Sequence, residues 1–287
     1  MKALRVQLLG LALLSIVLDG CRTASSPRPS NPAAPGRQTN ENLNAVLWMQ
    51  TAAEYRASTL QAYRLATMQL DAAVRDRRWT AAVEQTADAS ALPPALVVDL
   101  DETILDNSAF EARQMRDGQA FSEEVWNRWC EERSALAVPG AVPFLQYAQS
   151  HGVTPIYITN RDHNVEEATR DVLLKLGAPI DTTRDTVLTR HENGWDASDK
   201  SARRRFVAER YRILLLVGDN FEDFVPGTQA SVDDRAALLQ KYADYWGTKW
   251  IVLPNPTYGS WESAITFGQG RLTDAQELTA KYKALRF

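Results

Sequence analysis

Two carboxylates two residues apart, Asp99 and Asp101, follow a short apolar run, Ala95–Val98, and precede a hydroxyl at Thr103. Further along stand Thr159-Asn160, Ser198-Asp-Lys200-Ser201 and Gly218-Asp219-Asn220-Phe-Glu-Asp223. If these segments meet, Asp99, Asp101, Asp219 and Asp223 share one pocket, where four carboxylates repel unless a hard cation binds them. Oxygen ligands with no Cys or His nearby suit Mg²⁺. A metal-bound Asp99 can attack phosphorus to give an aspartyl-phosphate. Asp101 can then protonate the leaving alkoxide and later activate water. Thr159, with Asn160 beside it and neighbouring backbone N–H groups, would hold phosphate oxygens. Lys200, at a helix N-terminus, adds charge where the helix dipole already favours an anion. Taken singly, the pair Asp99/Asp101 reads equally well as a helix cap, and Lys200 as a solvated helix lysine.

The elements that must carry these groups follow from the pattern around them. The run Ala95–Val98, bounded by Pro93-Pro94, is too short for a core helix and does not alternate, so it reads as a strand buried on both faces of a parallel sheet. Side chains two apart on a strand point the same way, which puts Asp99 and Asp101 on one side and turns Glu102 elsewhere. From Pro139 onward strands and helices alternate. The expected helices are Pro143–Ser150, Val165–Leu176 (stopped by Gly177 and Pro179), one opened by Ser198-Asp-Lys-Ser201 and running to about Arg210, Ala236–Tyr245 and one that closes the chain. The expected strands are Ile156–Ile158, with Pro155 tolerated only at its start or edge, Thr186–Leu188, Ile213–Val217 and Trp250–Leu253. Alternation of this kind implies an α/β fold with a doubly wound parallel sheet, whose ligands bind beyond the carboxyl ends of the strands. Three strands end there in polar clusters: Asp99/Asp101, Thr159/Asn160 and Asp219/Asp223. Residues 104–135 form an insertion with Phe110, Phe121, Trp126 and Trp129. The two tryptophans share a helix face, either as the core of a small helical subdomain or as a platform for a flat substrate group. From Asn40 to about Ala89 the composition is helical, with a face of Leu60, Tyr63, Leu70 and Val74, and Thr67 in the gap. The run Arg203-Arg-Arg205 reads as a solvated face.

The chain has 287 residues, 45% of them apolar and 24% charged, with a net charge of −4. That is globular composition, and its acidity argues against a nucleic-acid-polymer binder. Lys2 and Arg5 precede the apolar run Leu8–Leu18, a signal peptide over 1–20, too short for a permanent anchor. It ends in Leu18-Asp19-Gly20-Cys21, which resembles a bacterial lipobox, although Asp19 stands where a small neutral residue is usual; Cys21 is the expected lipidation site. Residues 21–40, with Pro27, Pro29, Pro32 and Pro35, form a flexible tether, and the globular domain occupies 41–287. The second of the two cysteines, Cys130, reads as a buried hydrophobe.

In order, Asp99-Leu-Asp101-Glu-Thr103, Thr159, Lys200 and Gly218-Asp219-Asn220…Asp223 resemble the four motifs of the haloacid dehalogenase (HAD)-like phosphatases. The blocks Asp99–Ser108, Val138-Pro-Gly140, Ile158-Thr-Asn-Arg161, Asp199-Lys-Ser201 and Leu253-Pro-Asn…Tyr258-Gly-Ser-Trp-Glu262 are similar to the class C acid phosphatases, and within them to the bacterial outer-membrane lipoprotein acid phosphatases, also described as 5′-nucleotidases. The resemblance implies a HAD-like Rossmannoid sheet with a helical cap at about 104–135 and N-terminal helices. It implies Asp99 as nucleophile and Asp101 as acid/base, with Thr159 and Lys200 on phosphate. Mg²⁺ would be held by Asp99, the Asp101 carbonyl and Asp219, with Asp223 near it directly or through water. It further implies hydrolysis of nucleoside 5′-monophosphates and nicotinamide mononucleotide, a homodimer, and export to the outer membrane on a lipid anchor. Base stacking falls to Tyr258 and one of Trp126 or Trp129. Two alternatives stand beside this reading: a non-catalytic ligand-binding lipoprotein on the same fold, against which the presence of both Asp99 and Asp101 argues, and a phosphotransferase of the same superfamily. A histidine acid phosphatase would need Arg-His-Gly, where the chain has Arg190-His191-Glu192. A serine-hydrolase elbow and a P-loop are absent from the sequence.

Overall fold

The computed structural model describes residues 40–287. The expected signal peptide, nearly all of the tether and Cys21 lie outside the described residues. Among the described residues no helix is long and apolar enough to cross a membrane.

The chain opens with α1 (Leu43–Thr51) and α2 (Ala53–Arg75), separated by extended backbone at Ala52. Then come β1 (Pro94–Val98), β2 (Leu105–Asp106), α3 (Ser108–Asp117), α4 (Glu123–Glu131), β3 (Leu136–Ala137), α5 (Ala141–Ser150) and β4 (Thr154–Asp162). The remainder is α6 (Glu166–Leu176), β5 (Val187–Arg190), α7 (Ser201–Ala208), β6 (Arg212–Gly218), α8 (Val232–Lys241), β7 (Trp250–Val252), α9 (Ser260–Ser263) and α10 (Asp274–Ala284). Five strands form one parallel sheet in the order β5-β4-β1-β6-β7. From β1 the chain steps outward to β4 and β5, then returns to β6 on the other side. That reversal wraps α5 and α6 over one face and α7 and α8 over the other, the doubly wound α/β arrangement.

The period-two geometry of a strand is visible in β1. Leu96 and Val98 enter the core under α2, α5 and α6, whereas Ala95 and Val97 enter the core under α7 and α8. Along β6 the register against β1 slips between Ala95↔Ile213 and Val97↔Leu216. One extra residue is thereby inserted, and Leu214 and Leu215 consequently both pack on the α2 face. Pro155 is the second residue of β4. Tyr157 N–H donates to Thr186 at the start of β5, so the Pro155 nitrogen, two residues earlier, points toward β5 before that strand begins, and no ladder bond is lost.

Several expected stretches differ: β4 runs on through Thr159 and Asn160 to Asp162, and α8 is Val232–Lys241 rather than 236–245. The helical region ends at Arg75 rather than near Ala89. Beyond it the chain is held by side chains: Gln85 donates to the Ala208 and Tyr211 carbonyls at 2.8 and 2.6 Å, and Trp79 to that of Leu214 at 2.8 Å. The buried face of α2 is Tyr55, Thr59, Tyr63, Ala66, Leu70 and Ala73, with Leu60 exposed. The alanines, invisible to a pattern built on large side chains, let α2 lie close against α5 and the sheet. The insertion after β1 contains α3 and α4, and its base is closed by antiparallel pairing of β2 with β3.

Candidate active site

The site lies at the carboxyl edge of the sheet, where β1 meets β4 and β6. Asp99 is the first residue past β1, and its N–H still donates to Val217 of β6 at 2.9 Å. Asp219 follows β6 directly, and Asp223 closes the short turn after it, accepting the Asn220 N–H at 2.9 Å. Gly218 makes this turn possible, because a Cβ there would overlap the Asp223 carboxylate. Asp99, Asp219 and Asp223 each bring a carboxylate oxygen within 4.8 Å of the others. Lys200, the residue before α7, reaches in from the other face of the sheet. Its Nζ donates to Asp99 Oδ1 and, at 2.6 Å, to Asp223 Oδ1. Thr103 Oγ1 lies 3.2 Å from both Asp99 and Asp219, and Asn255 donates to Asp219 Oδ2 at 2.8 Å.

The electrostatics follow from this crowding. Burial lifts Asp99 to about 7 against the pull of Lys200, with Asp223 and Asp101 adding to the rise. Burial and the charges of Asp99 and Asp223 push Asp219 well above the usual carboxylate range. Burial alone would discharge Lys200, but Asp223 and Asp99 hold it above its ordinary range. Three buried carboxylates against one ammonium leave a net negative pocket of oxygen donors, the donor set that a hard divalent cation fits.

The Asp101 carboxylate is turned away from this cluster. It is gripped by Arg161, whose Nη2 and Nε reach Oδ1 at 2.8 and 3.0 Å, and by Asn107 Nδ2 at 2.9 Å. Its side chain therefore lies outside the Asp99–Asp219–Asp223 oxygen cluster, which leaves only its carbonyl for the expected contribution to a metal. Arg161 is fully buried and lies with its guanidinium carbon 5.5 Å from the Trp126 ring centre. Neither Arg161 nor Asn107 was picked out as a site residue from sequence. An arginine 60 positions from its carboxylate gives no local spacing signal.

These groups open into a cavity of about 550 Å³ lined by Asp99, Asp101, Asn160, Lys200, Asp219 and Asp223 at its floor and by Phe110, Phe121, Trp126 and Tyr258 farther out. Of the candidate stacking residues, Trp126 and Tyr258 line the cavity, whereas Trp129 does not. Trp129 is 4% exposed, and its indole N–H donates to Asn107 at 2.9 Å. Phe110 separates the two tryptophans, its ring centre 4.9 Å from Trp126 and 6.0 Å from Trp129. Trp129 is core and braces the Asn107 that holds Asp101. Thr159 is also fully buried: its hydroxyl accepts the Arg161 N–H at 3.1 Å, and it does not line the cavity. The Asn160 side chain accepts from Arg203 at 2.6 Å.

Two further residues differ from their sequence reading. Arg203 and Arg204 are fully buried, not solvated. Arg203 secures the Thr159 carbonyl and Asn160, and Arg204 pairs with Glu84 at 2.9 Å. Glu102 does face away from the cavity, but it is not idle: in the left-handed region (φ 56°), it accepts from Asn107 N–H at 2.9 Å and from the Tyr258 hydroxyl. Burial pushes the Cys130 thiol up to about 12, which makes it inert.

Residues 26–261 match the family described as HAD superfamily, subfamily IIIB (acid phosphatase). The fold is similar to that of the class C acid phosphatase from Bacillus anthracis, with a TM-score of 0.73 and 34% identity over 86% of this chain and 97% of that one. A structure of the class C enzyme from Bacillus anthracis with tungstate bound gives a TM-score of 0.75 at the same identity and coverage.

Proposed function

The chain belongs to the class C acid phosphatases of HAD subfamily IIIB and is a phosphomonoesterase, and we propose that it is a Mg²⁺-dependent 5′-nucleotidase working through a phosphorylated Asp99. The observation that carries this reading is the convergence of Asp99, Asp219 and Asp223 with Lys200 at the floor of an aromatic-lined cavity. Asp99, Asp219 and Asp223, with the Asp101 carbonyl, would hold the cation, which neutralises charge on the phosphoryl oxygens. Tungstate in the related enzyme is a tetrahedral oxyanion, as phosphate is.

In this reading Asp99 attacks phosphorus and the bond to the leaving oxygen breaks. Asp101, aimed by Arg161 and Asn107, gives that oxygen its proton. Asp101 then takes a proton from water as the water opens the aspartyl-phosphate. Lys200 moves from neutralising Asp99 and Asp223 to binding phosphoryl oxygen. Asn160 completes the phosphate site from β4, held in place by Arg203, while Thr159 lies buried beneath it and braces the strand through Arg161 N–H. Trp126 and Tyr258 stack the base of a nucleoside 5′-monophosphate or the ring of nicotinamide mononucleotide. The globular domain over 41–287 carries this activity, with residues of about 104–135 as its cap, and works as a homodimer. The enzyme is exported and tethered to the outer membrane through Cys21.

The test is release of phosphate from a panel of nucleoside monophosphates by protein lacking residues 1–21, with and without EDTA. Activity abolished by chelation, restored by Mg²⁺ and highest at acidic pH supports the reading. Hydrolysis that persists after exhaustive chelation contradicts it.

A further inference from the structure

The floor of the cavity is built to attract an anion, but its outer half is not. Glu111 of α3 and Glu262 of α9 both line the cavity, and Glu111 feels the charge of Glu262. Glu111 is pushed up to about 7 by burial and by Glu262, with no donor or cation acting against them. Glu262 does have a cation, Lys281 of α10 at 2.7 Å, but Lys281 is shared with Glu41 at 2.8 Å. Glu111 and Glu262 against one ammonium that is itself shared with Glu41 leave this rim with net negative charge once Glu111 ionises.

The cations of the cavity cannot offset it. Lys200 is engaged by Asp99 and Asp223, Arg161 by Asp101, and Arg190 by Glu123. Among the described residues, each lining cation already has a carboxylate partner, and the one donor left over, Arg190 Nε, is buried. The remaining outer surface is aromatic: Phe110, Phe121, Trp126 and Tyr258. A leaving group seated there meets ring faces, the unpartnered carboxylate of Glu111 and that of Glu262, whose Lys281 is shared with Glu41.

We propose that Glu111 and Glu262 are specificity-determining residues, which admit neutral or cationic ring-bearing leaving groups and reject leaving groups that carry a second phosphate. The proposal rests on the phosphomonoesterase reading of the same cavity and adds the sign of charge that the leaving group must have. The floor recognises one phosphoryl group, and like charges across the rim penalise another. Half-buried rim charges are still partly screened by salt, so the discrimination weakens as ionic strength rises.

The test compares kcat/KM at about pH 8, where Glu111 is ionised, for adenosine 5′-monophosphate and adenosine 3′,5′-bisphosphate in the wild type, Glu111→Gln, Glu262→Gln and the double variant. The wild type prefers the monophosphate by about tenfold or more, and the double variant loses most of that preference through a lower KM for the bisphosphate. Glu262→Gln gives up an ion pair to α10 and can loosen the rim. Glu111→Gln gives up none, so it alone must shift the ratio toward the bisphosphate. A loosened rim lowers both rates together and leaves the ratio fixed. An unchanged ratio in Glu111→Gln and in the double variant, or a wild type indifferent to the second phosphate, overturns the proposal. Failure of the wild type to hydrolyse the monophosphate would instead overturn the underlying reading.

Discussion

Lys200 offers the most informative perturbation of the site. Its side chain is 6% exposed, and the two carboxylates it bonds, Asp99 and Asp223, are 8% and 4% exposed. Lys200→Met keeps the length of the side chain and removes its charge. Asp99, Asp219 and Asp223 then face one another with no ammonium among them. Removing one partner of a buried ion pair costs about 3–5 kcal/mol. At about 2–4 °C per kcal/mol for a domain of this size, the metal-free variant should melt roughly 6–20 °C below the wild type. A divalent cation entering the same cluster takes over the role of the lost charge, so saturating Mg²⁺ should raise the melting temperature of the variant more than that of the wild type. At 100 times its Kd a ligand contributes about 2.7 kcal/mol, which sets the scale of the wild-type shift. Differential scanning calorimetry with EDTA and with Mg²⁺ reads both quantities. A metal-free Lys200→Met protein melting within about 2 °C of the wild type, equivalent to less than 1 kcal/mol, would refute the buried-charge argument. So would a Mg²⁺ shift no larger than that of the wild type.

Gly218→Ala places a methyl group on the Asp223 carboxylate and should weaken Mg²⁺ binding about 10–100-fold, measured by titration calorimetry at constant pH. Trp126→Ala should raise KM for a purine nucleotide by roughly tenfold or more, from a stacking energy of about 1–3 kcal/mol, with a smaller rise for ribose 5-phosphate, which has no base. Trp129→Phe should instead depress kcat, because it frees Asn107 and so loosens Asp101. Asp99 and Glu111 both sit at about 7 in the fold, above the ordinary carboxylate value. Each therefore contributes stability that is fully present below the unfolded value and lost as pH rises through about 7. The melting temperature of metal-free protein should fall between about pH 4 and pH 7 and level off above, and Glu111→Gln should remove part of the fall. A melting temperature flat across that range counts against the buried-carboxylate picture.

What the sequence made legible was what the backbone decides locally. A short apolar run bounded by prolines can only be a strand buried on both faces, and β1 feeds two cores through alternate residues. The polar clusters at the ends of three strands then had to meet at one edge, and Asp99, Asp219 and Asp223 do. Contacts set by tertiary packing were not legible. Arg203 and Arg204 sit in a run of three arginines that reads as solvent-facing, yet both are drawn inward by carbonyls and a carboxylate from distant segments. Trp126 and Trp129 share a helix face by spacing, but Phe110 wedges between them and only one reaches the cavity. Glu102 reads as a bystander, because strand alternation cannot foresee the left-handed turn that lets it brace Tyr258.

The central claim is that Asp99 carries the phosphoryl group during turnover. Rapid acid quench of the Mg²⁺-loaded enzyme with a substrate labelled at phosphorus, followed by peptide mapping, tests it directly. The label should appear on the peptide containing Asp99 and be absent in Asp99→Asn, which should also lose turnover. Label on a different residue, or undiminished hydrolysis by Asp99→Asn, would contradict it.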